Sequence, residues 1–353
     1  MLFVTKYENK KSTFGGMVRV KDIESICEKA EFLSINLKKP FDTYEYINDE
    51  GNKVYNIGLL NIFKIIKILK SHDAIYFHTV GNFIKLFPYI SFIKKKKKFI
   101  DLHGSQPEEF SYSGAKFRSS IFSFFEKKAF KHCNIFIHVS HNMIKHFRKK
   151  YPYHNKKDLY VPIFSSDIDL NKKINFYLES KKARDMLSIN DDKPIFLYSG
   201  GVQAWQKIDL IIKYSKNALN SGYRVIILSM QKKIFQEKLS EFSDNSNLLI
   251  ESVSPNELYQ YYLAANYGLM FRDDNILNIV SSPTKMSEYL YYGMKPVLTS
   301  TNVGDFVSFG IEYINFDNNI NLLNNTKSDI NHDIICEKLS SSDKELLARL
   351  INE

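Results

Sequence analysis

Short apolar runs alternate with helical patterns along this 353-residue chain, and that alternation is the strongest constraint on its fold. In the first half the runs fall at 2–5, 32–37, 74–78, 99–102, 135–140 and 159–163, with helical patterns at 19–29, 59–69, 115–131 and 141–150. A second series of runs follows at 195–199, 224–229, 248–252, 267–271, 295–299 and 313–316. Strand, helix and strand repeated in this way imply parallel sheets covered on both faces. Twelve strands are too many for one doubly wound sheet, and a polar, less periodic stretch at 164–187 offers a break. The expected fold class is therefore α/β, with two Rossmann-like doubly wound domains facing across a cleft. The N-terminal domain is expected over 1–168 and the C-terminal domain over 169–325. A helical segment over 326–353, with a helix start at Ser342, is expected to pack back across the boundary.

Ligands bind such sheets outside the carboxyl ends of the strands. The first of the loops there carries Gly15 and Gly16, ahead of the first helical pattern. Paired glycines let backbone approach a ligand, or make a plain turn; the spacing is not that of a dinucleotide fingerprint. A second loop closes the run "FIDLHGSQPEEF", which holds Asp101, His103, Gly104, Glu108 and Glu109. A histidine there can donate a hydrogen bond or relay a proton, or serve only the turn. The third, "YSGGVQAWQK", places Gly200 and Gly201 where a phosphate loop belongs, with Trp205 and Lys207 beyond them.

The run "SSPTKMSEYLYYGMKPVLTS" at 281–300 is the most specific. Ser282 suits an N-cap and Pro283 the first helical position. The free N–H groups of that turn, with Thr284 and Lys285, then make an anion site. Glu288 lies about 7 to 8 Å further along the axis, the separation of a diphosphate from a ribose. Arg272, ending the strand before it, supplies a second cation. The spacing suits a nucleoside diphosphate; the competing reading is a surface Lys285–Glu288 ion pair.

Charge and composition narrow the partners. A net charge of +10 asks for an anionic one. The chain has no zinc-finger spacing, no aromatic RNA signature and no basic helix followed by heptads, so no nucleic acid is expected. The run Lys94 to Lys98 reads either as a solvated turn before a strand or as a patch against an anionic membrane surface. Three scattered cysteines argue against a disulfide framework or a zinc site. The first residues lack a signal-peptide pattern and no run reaches the 18 to 20 apolar residues of a membrane span. The expected location is cytoplasmic, peripheral on the inner face of the cytoplasmic membrane.

Taken in order, "FGG", "DLHGSQPEE", "VSHNM", "VPIFSSDID", "YSGGVQAWQKIDLII", "SPNELYQYYLAANYGLMFR", "SSPTKMSEYLYYGMKPVLTS" and "VGD" resemble the GT-B glycosyltransferases that build bacterial surface polysaccharides, the group 1, family 4-like transferases. The resemblance runs from the first strand to about Asp305. It implies that the first domain binds the acceptor and the second a nucleotide sugar, a UDP-sugar ahead of a GDP-sugar, with no metal or other cofactor. It implies that Glu288 holds the ribose and that Lys285 and Arg272 hold the diphosphate. Gly200, Gly201, Lys207, Asn278, Ser282 and Thr284 would line the donor. Gly15 and Gly16 would sit near its phosphates, and His103, with Asp101, would act near the sugar. Two departures stand out. Retaining members carry a glutamate where this chain has Val280, so Asn278, Asp273 or Asp274 would contact the sugar instead. The usual arginine and lysine of the first donor-domain loop are replaced by Gly201 and Gln206. The activity implied is hexosyl or N-acetylhexosaminyl transfer to a saccharide acceptor, lipid-linked, in capsule, O-antigen or related cell-surface glycan synthesis. The alternatives are a nucleotide-sugar epimerase on the same fold and a catalytically idle subunit of a transferase complex.

Overall fold

The computed structural model describes residues 1–7, 15–164, 168–317, 320 and 323–353. It divides into two units, Met1–Ile163 with Ser342–Glu353, and Phe164–Ser341.

The first unit is built on eight strands: β1 (Leu2–Val4), β2 (Glu31–Asn36), β3 (Thr43–Ile47), β4 (Lys53–Gly58), β5 (Ala74–His78), β6 (Lys97–Leu102), β7 (Ile135–His138) and β8 (Lys157–Tyr160). They lie in the order β3-β4-β2-β1-β5-β6-β7-β8. Every neighbouring pair is parallel except β3 with β4. Parallel strands are covered on both faces, which is why β5 reads "AIYFH" and β7 "IFIH" with almost no exposed position. Phe3, Phe32, Tyr76 and Phe99 fill the centre of one face.

The β3–β4 hairpin is absent from the strand pattern read off the sequence. All but one residue of "TYEYI" in β3 is exposed, and in β4 "KVYNIG" the apolar Val54 and Ile57 are buried but separated by two polar residues. Gly51, at φ +83°, closes its turn, and Lys53 and Lys64 both pair with Glu45 on this edge strand.

The second unit carries β9 (Ile195–Ser199), β10 (Arg224–Leu228), β11 (Leu248–Glu251), β12 (Tyr267–Met270), β13 (Lys295–Leu298) and β14 (Ile314–Asn315). Their order is β11-β10-β9-β12-β13-β14, parallel throughout. The order reverses between β9 and β12, the position at which doubly wound sheets bind ligands.

The unit boundary falls at Ile163 rather than at 168. The segment expected to act as one C-terminal piece divides in two: the helix Asp329–Ser340 belongs to the second unit and the helix Lys344–Asn352 to the first. Leu347 and Ile351 of that last helix are buried in the first unit's core. The Tyr160 N–H donates to Asp343 Oδ2 at 2.8 Å, and Lys344 pairs with Asp22.

The lysine run also differs from expectation. Lys98 is 3 % exposed, and its Nζ donates to the carbonyls of Ile93, Lys94 and Lys96. Lys96 reaches the carbonyls of Lys70 and His72, and Lys97 reaches the Leu350 carbonyl and Glu353. Lys98 thus closes the turn before β6, Lys96 and Lys97 tie it to other segments, and Lys94 and Lys95 remain exposed. No helix among the described residues is long and apolar enough to cross a membrane.

Candidate functional site

The second unit gathers its chemistry at the carboxyl ends of β9, β12 and β13. After β9 the chain passes through Gly200 at φ +149°, a conformation that side chains rarely adopt. A Cβ there would meet Lys285 Nζ at 3.0 Å and the Tyr198 hydroxyl at 3.1 Å. The glycine thus lets the loop pass directly over the lysine. Lys207, also at positive φ (55°), caps the helix Ile208–Asn220.

Arg272 leaves the end of β12 and is 7 % exposed. Its backbone N–H donates to Thr299 Oγ1 at 2.8 Å. Its Nη1 donates to the Trp205 carbonyl at 2.7 Å and to Gln206 Oε1 at 2.9 Å. Lys285 donates to the same Gln206 oxygen at 2.7 Å and stands 4.5 Å over the Tyr198 ring. Among the described residues neither cation has a carboxylate within ion-pair distance. Burial, the Arg272 charge beside it and the weaker opposing pull of Glu288 leave the Lys285 ammonium with a pKa well below the ordinary lysine value. Two cations drawn together on a neutral amide form a site prepared for an anion.

Glu288 lies one helical turn beyond Lys285 on the helix Thr284–Tyr291. Its Oε2 accepts from the Tyr262 hydroxyl at 2.9 Å, and that hydroxyl is 2.9 Å from Ser199 Oγ. The Tyr289 hydroxyl accepts from the Ser199 N–H at 3.1 Å. Burial and nearby Glu288 carry the Tyr262 hydroxyl well above the ordinary tyrosine value, so it remains a donor to the carboxylate. The expected capping is corrected in detail: Pro283, not Ser282, holds the N-cap position, and the helix begins at Thr284. Lys285 and Glu288 do share a helix face, but with separate partners, so the surface ion pair is not formed.

Residues 272–278 line the rim. Lys207 pairs with Asp273 at 2.6 Å, and Asn302 Nδ2 contacts both oxygens of Asp274 at 2.9 Å. Asn278 donates through Nδ2 to the Asp273 carbonyl at 2.8 Å. Lys207, Arg272, Asp273, Asp274 and Thr299 share one polar hollow of about 420 Å³. Val280 is fully buried and presents nothing to a ligand. Gln206, Tyr198 and Tyr262, with Ser199, Tyr289 and Thr299 behind them, are members of this cluster that sequence reasoning did not select. Gln206 was legible as the residue standing where a basic one is usual; Tyr198 and Tyr262 carried no signal apart from their composition.

In the first unit the loop after β6 carries His103, and a small hollow of about 80 Å³ lies between His103, Gly104, Gln106, Glu109, Thr79 and Val80. Thr79 has φ 73°, an unusual conformation for a β-branched residue and one typical of functional loops. Asp101 is fully buried. Both its oxygens receive the Arg19 guanidinium, at 2.9 and 3.2 Å, and the Tyr76 hydroxyl donates to it at 2.9 Å. Burial alone would raise its pKa; Arg19 and His103 outweigh that and hold it well below the usual carboxylate range. His103 Nε2 lies 3.3 Å from Asp101. Asp101 is thus sealed within the fold by Arg19 and Tyr76, so the direct contact with a substrate expected for it is not open to it. His78, driven by burial down to about 3, is neutral beside them. Ligand atoms of His78, Asp101 and His103 lie within 4.8 Å of one another, but Arg19 already occupies the carboxylate and its charge opposes a metal cation. Gly15 and Gly16 begin the helix Gly15–Glu24 rather than precede it; Phe14 of the same motif lies outside the described residues.

No protein-family model matches the chain, and no curated protein matches it in sequence. Solved structures do. WaaG, a glycosyltransferase involved in lipopolysaccharide biosynthesis, superimposes with a TM-score of 0.61 over 99 % of each chain at 12 % identity. Anabaena Alr3699/HepE, solved in complex with UDP and glucose, matches with a TM-score of 0.57 at 11 % identity over 99 % of this chain and 95 % of that one. The E. coli trehalose-6-phosphate structure bound with UDP-2-fluoro glucose matches with a TM-score of 0.64 at 9 % identity over 99 % and 97 %. Two parallel-sheet Rossmann-like units and these neighbours together show that the chain has the GT-B glycosyltransferase fold.

Proposed function

We propose that the protein is a glycosyltransferase that uses a nucleoside-diphosphate sugar, a UDP-sugar before a GDP-sugar. The observation that carries the reading is the pair Arg272 and Lys285, two cations sharing Gln206 Oε1 with no carboxylate partner among the described residues. A diphosphate would replace that neutral acceptor and receive both charges, together with the N–H groups of the first turn at Thr284. Glu288, steadied by Tyr262, accepts from the ribose hydroxyls. Gly200 and Gly201 let backbone approach the donor, while Ser282, Thr284, Asn278 and Lys207 shape the rim. In the transition state negative charge builds on the departing diphosphate, where the preorganised cations stabilise it without a metal step. From the resemblance of their motifs, His103 is assigned to the sugar or the acceptor hydroxyl and Gly15 and Gly16 to the donor phosphates. Lys207 is already paired with Asp273, so Arg272 and Lys285 carry the phosphate role ahead of it.

The acceptor in this reading is a saccharide carried on a lipid, in synthesis of a capsule, O-antigen or related surface glycan. The basic first unit supports it, as does the resemblance of the motifs to transferases of that group. The deciding test is thermal stabilisation of wild type and Glu288→Ala by UDP, GDP, CDP, ADP and TDP. The expected result is stabilisation of wild type by one nucleotide and its loss in the variant. If no nucleotide stabilises the folded wild type, the proposal fails.

A further inference from the structure

Two glutamates stand side by side on the helix Gln106–Tyr112, where consecutive side chains point about 100° apart. The fold gives them opposite surroundings. Both oxygens of Glu108 are engaged: Lys150 donates to Oε1 at 2.8 Å and the Ser105 hydroxyl to Oε2 at 2.5 Å, with His146 at 3.6 Å. Burial would raise its pKa; His146, Lys150 and Ser105 outweigh that and hold it well below the usual carboxylate range. Glu109 turns instead to the small hollow that it shares with His103, Gly104, Gln106, Thr79 and Val80. No hydrogen bond or ion pair among the described residues reaches its carboxylate. Its Oε1 lies back along the loop: a Cβ built on Gly104 would meet that oxygen, at 3.7 Å, and nothing else within 4 Å. The other wall is fixed, since the Gly81 N–H donates to Gln106 Oε1 at 3.3 Å. Burial raises the pKa of Glu109, with no charged partner to oppose it. Neighbouring carboxyls pushed in opposite directions separate a structural charge from an acid–base group.

We propose that Glu109 is the general base of the transfer, taking the proton of the acceptor hydroxyl, and that the sugar passes in a single displacement with inversion at its anomeric carbon. The assignment rests on the glycosyltransferase reading and adds to it the catalytic base and the stereochemical outcome. The acceptor O–H bond breaks, and its proton goes to a carboxylate oxygen of Glu109. The electron pair so released makes the bond from the acceptor oxygen to the anomeric carbon. The bond from that carbon to the diphosphate breaks, and its pair leaves on the diphosphate, where Arg272 and Lys285 receive the charge. Glu109 then returns the proton to water. A double displacement would need a carboxylate at the sugar, and the positions expected to contact it are spoken for. Val280 is fully buried, Asp273 pairs with Lys207 and its carbonyl receives Asn278, and Asp274 is held by Asn302. A carboxylate without a partner, its pKa lifted toward the working pH, suits proton removal better than one locked in an ion pair.

The test presents the full chain with UDP-glucose, UDP-galactose, UDP-N-acetylglucosamine and GDP-mannose as donors, and with water, an octyl glycoside and azide as acceptors. Azide attacks without giving up a proton, so it needs no base. Wild type is expected to use at least one of these α-linked donors, and proton NMR to show a β-configured product. Glu109→Gln should lower kcat with water and the glycoside by about 10²–10⁴-fold. It should leave the donor KM and the nucleotide-induced rise in melting temperature unchanged, and transfer to azide at the wild-type rate. Glu109 has no side-chain partner to lose among the described residues, so the ligand-free variant should melt with wild type. A product of retained configuration overturns the proposal. So does a variant that equals wild type with water and the glycoside, or that loses azide transfer in step with them, since a structural role would lower all three together. A wild type that a nucleotide stabilises but that transfers to none of the three acceptors also overturns it. In each of these cases nucleotide stabilisation of wild type keeps the functional reading; a folded wild type that no nucleotide stabilises removes both.

Discussion

Replacing Lys285 by methionine separates a ligand site from a structural one. Arg272 Nη1 and Lys285 Nζ lie 2.9 and 2.7 Å from the same oxygen, so they are at most 5.6 Å apart, the sum of the two distances. At an effective dielectric of about 20, two unit charges at that separation repel by about 3 kcal/mol; full water screening would reduce this to about 0.7 kcal/mol. Lys285→Met removes the repulsion and keeps the side-chain volume. It gives up a charged hydrogen bond to Gln206, of about 1.5–3 kcal/mol, and that oxygen still accepts from Arg272. The two effects are similar in size and opposite in sign. The expected outcome is a ligand-free protein within about 1 kcal/mol of wild type, or more stable, as buried charges replaced by apolar isosteres commonly are. Wild type at a nucleotide concentration about 100 times the dissociation constant gains roughly 2.7 kcal/mol, or about 5–10 °C for a unit of this size. Lys285→Met should lose most of that gain. Thermal melts of both proteins, with and without the nucleotide that stabilises wild type, read the four states directly. A ligand-free variant that melts far below wild type, or a variant stabilised by nucleotide as much as wild type, would refute the reasoning.

Asp101→Asn leaves the fully buried Arg19 with only Asp22, at 3.6 Å, as countercharge and should destabilise the first unit by about 3–5 kcal/mol, read by denaturant unfolding. Gly200→Ala forces a side chain into φ +149° against Lys285 and Tyr198; a loss of about 1–3 kcal/mol and weaker nucleotide binding in calorimetry are expected. Glu108 accepts from Lys150 and Ser105 and neighbours His146, and these contacts outweigh its burial to hold its pKa near 2. A carboxyl lowered on folding stabilises the native state above its unfolded value and loses that contribution as pH falls through the folded one. Acid unfolding should therefore steepen between about pH 4.5 and 2. Glu108→Gln should flatten the stability profile in that window alone.

Most of the strands and part of the cluster around Lys285 were legible because they are local. The strands of the second unit are apolar runs bounded by turns, and Lys285 and Glu288 needed only helical spacing to be placed on one face. What escaped depends on distant partners. Gln206 meets Lys285 across 79 residues, and Tyr262 meets Glu288 across 26; no short window joins them. Asp101 looked available at a strand end, but Arg19, 82 residues away, seals it. Lys98 looked solvated because lysines in a run usually are, yet three carbonyls at a tight turn satisfy its donors. β3 carries mostly polar residues on an exposed edge, so its hydrophobic pattern is weak where a buried strand's is strong.

The last helix also sets an order of events during synthesis. Residues 164–341 are translated between the two parts of the first unit. At about 5–20 residues per second those 178 positions (341 − 164 + 1) take roughly 10 to 35 s. The second unit's sequence is complete only at the end of that interval, and the 12 residues from Ser342 to Glu353 (353 − 342 + 1) take about 0.6–2.4 s more. The first unit still lacks Leu347 and Ile351 from its core, and the Glu28 N–H still lacks Asn352, its partner 324 residues further on. A host divided by an inserted unit must hold an unfinished core through that whole interval, which makes it the slower and more exposed partner in folding.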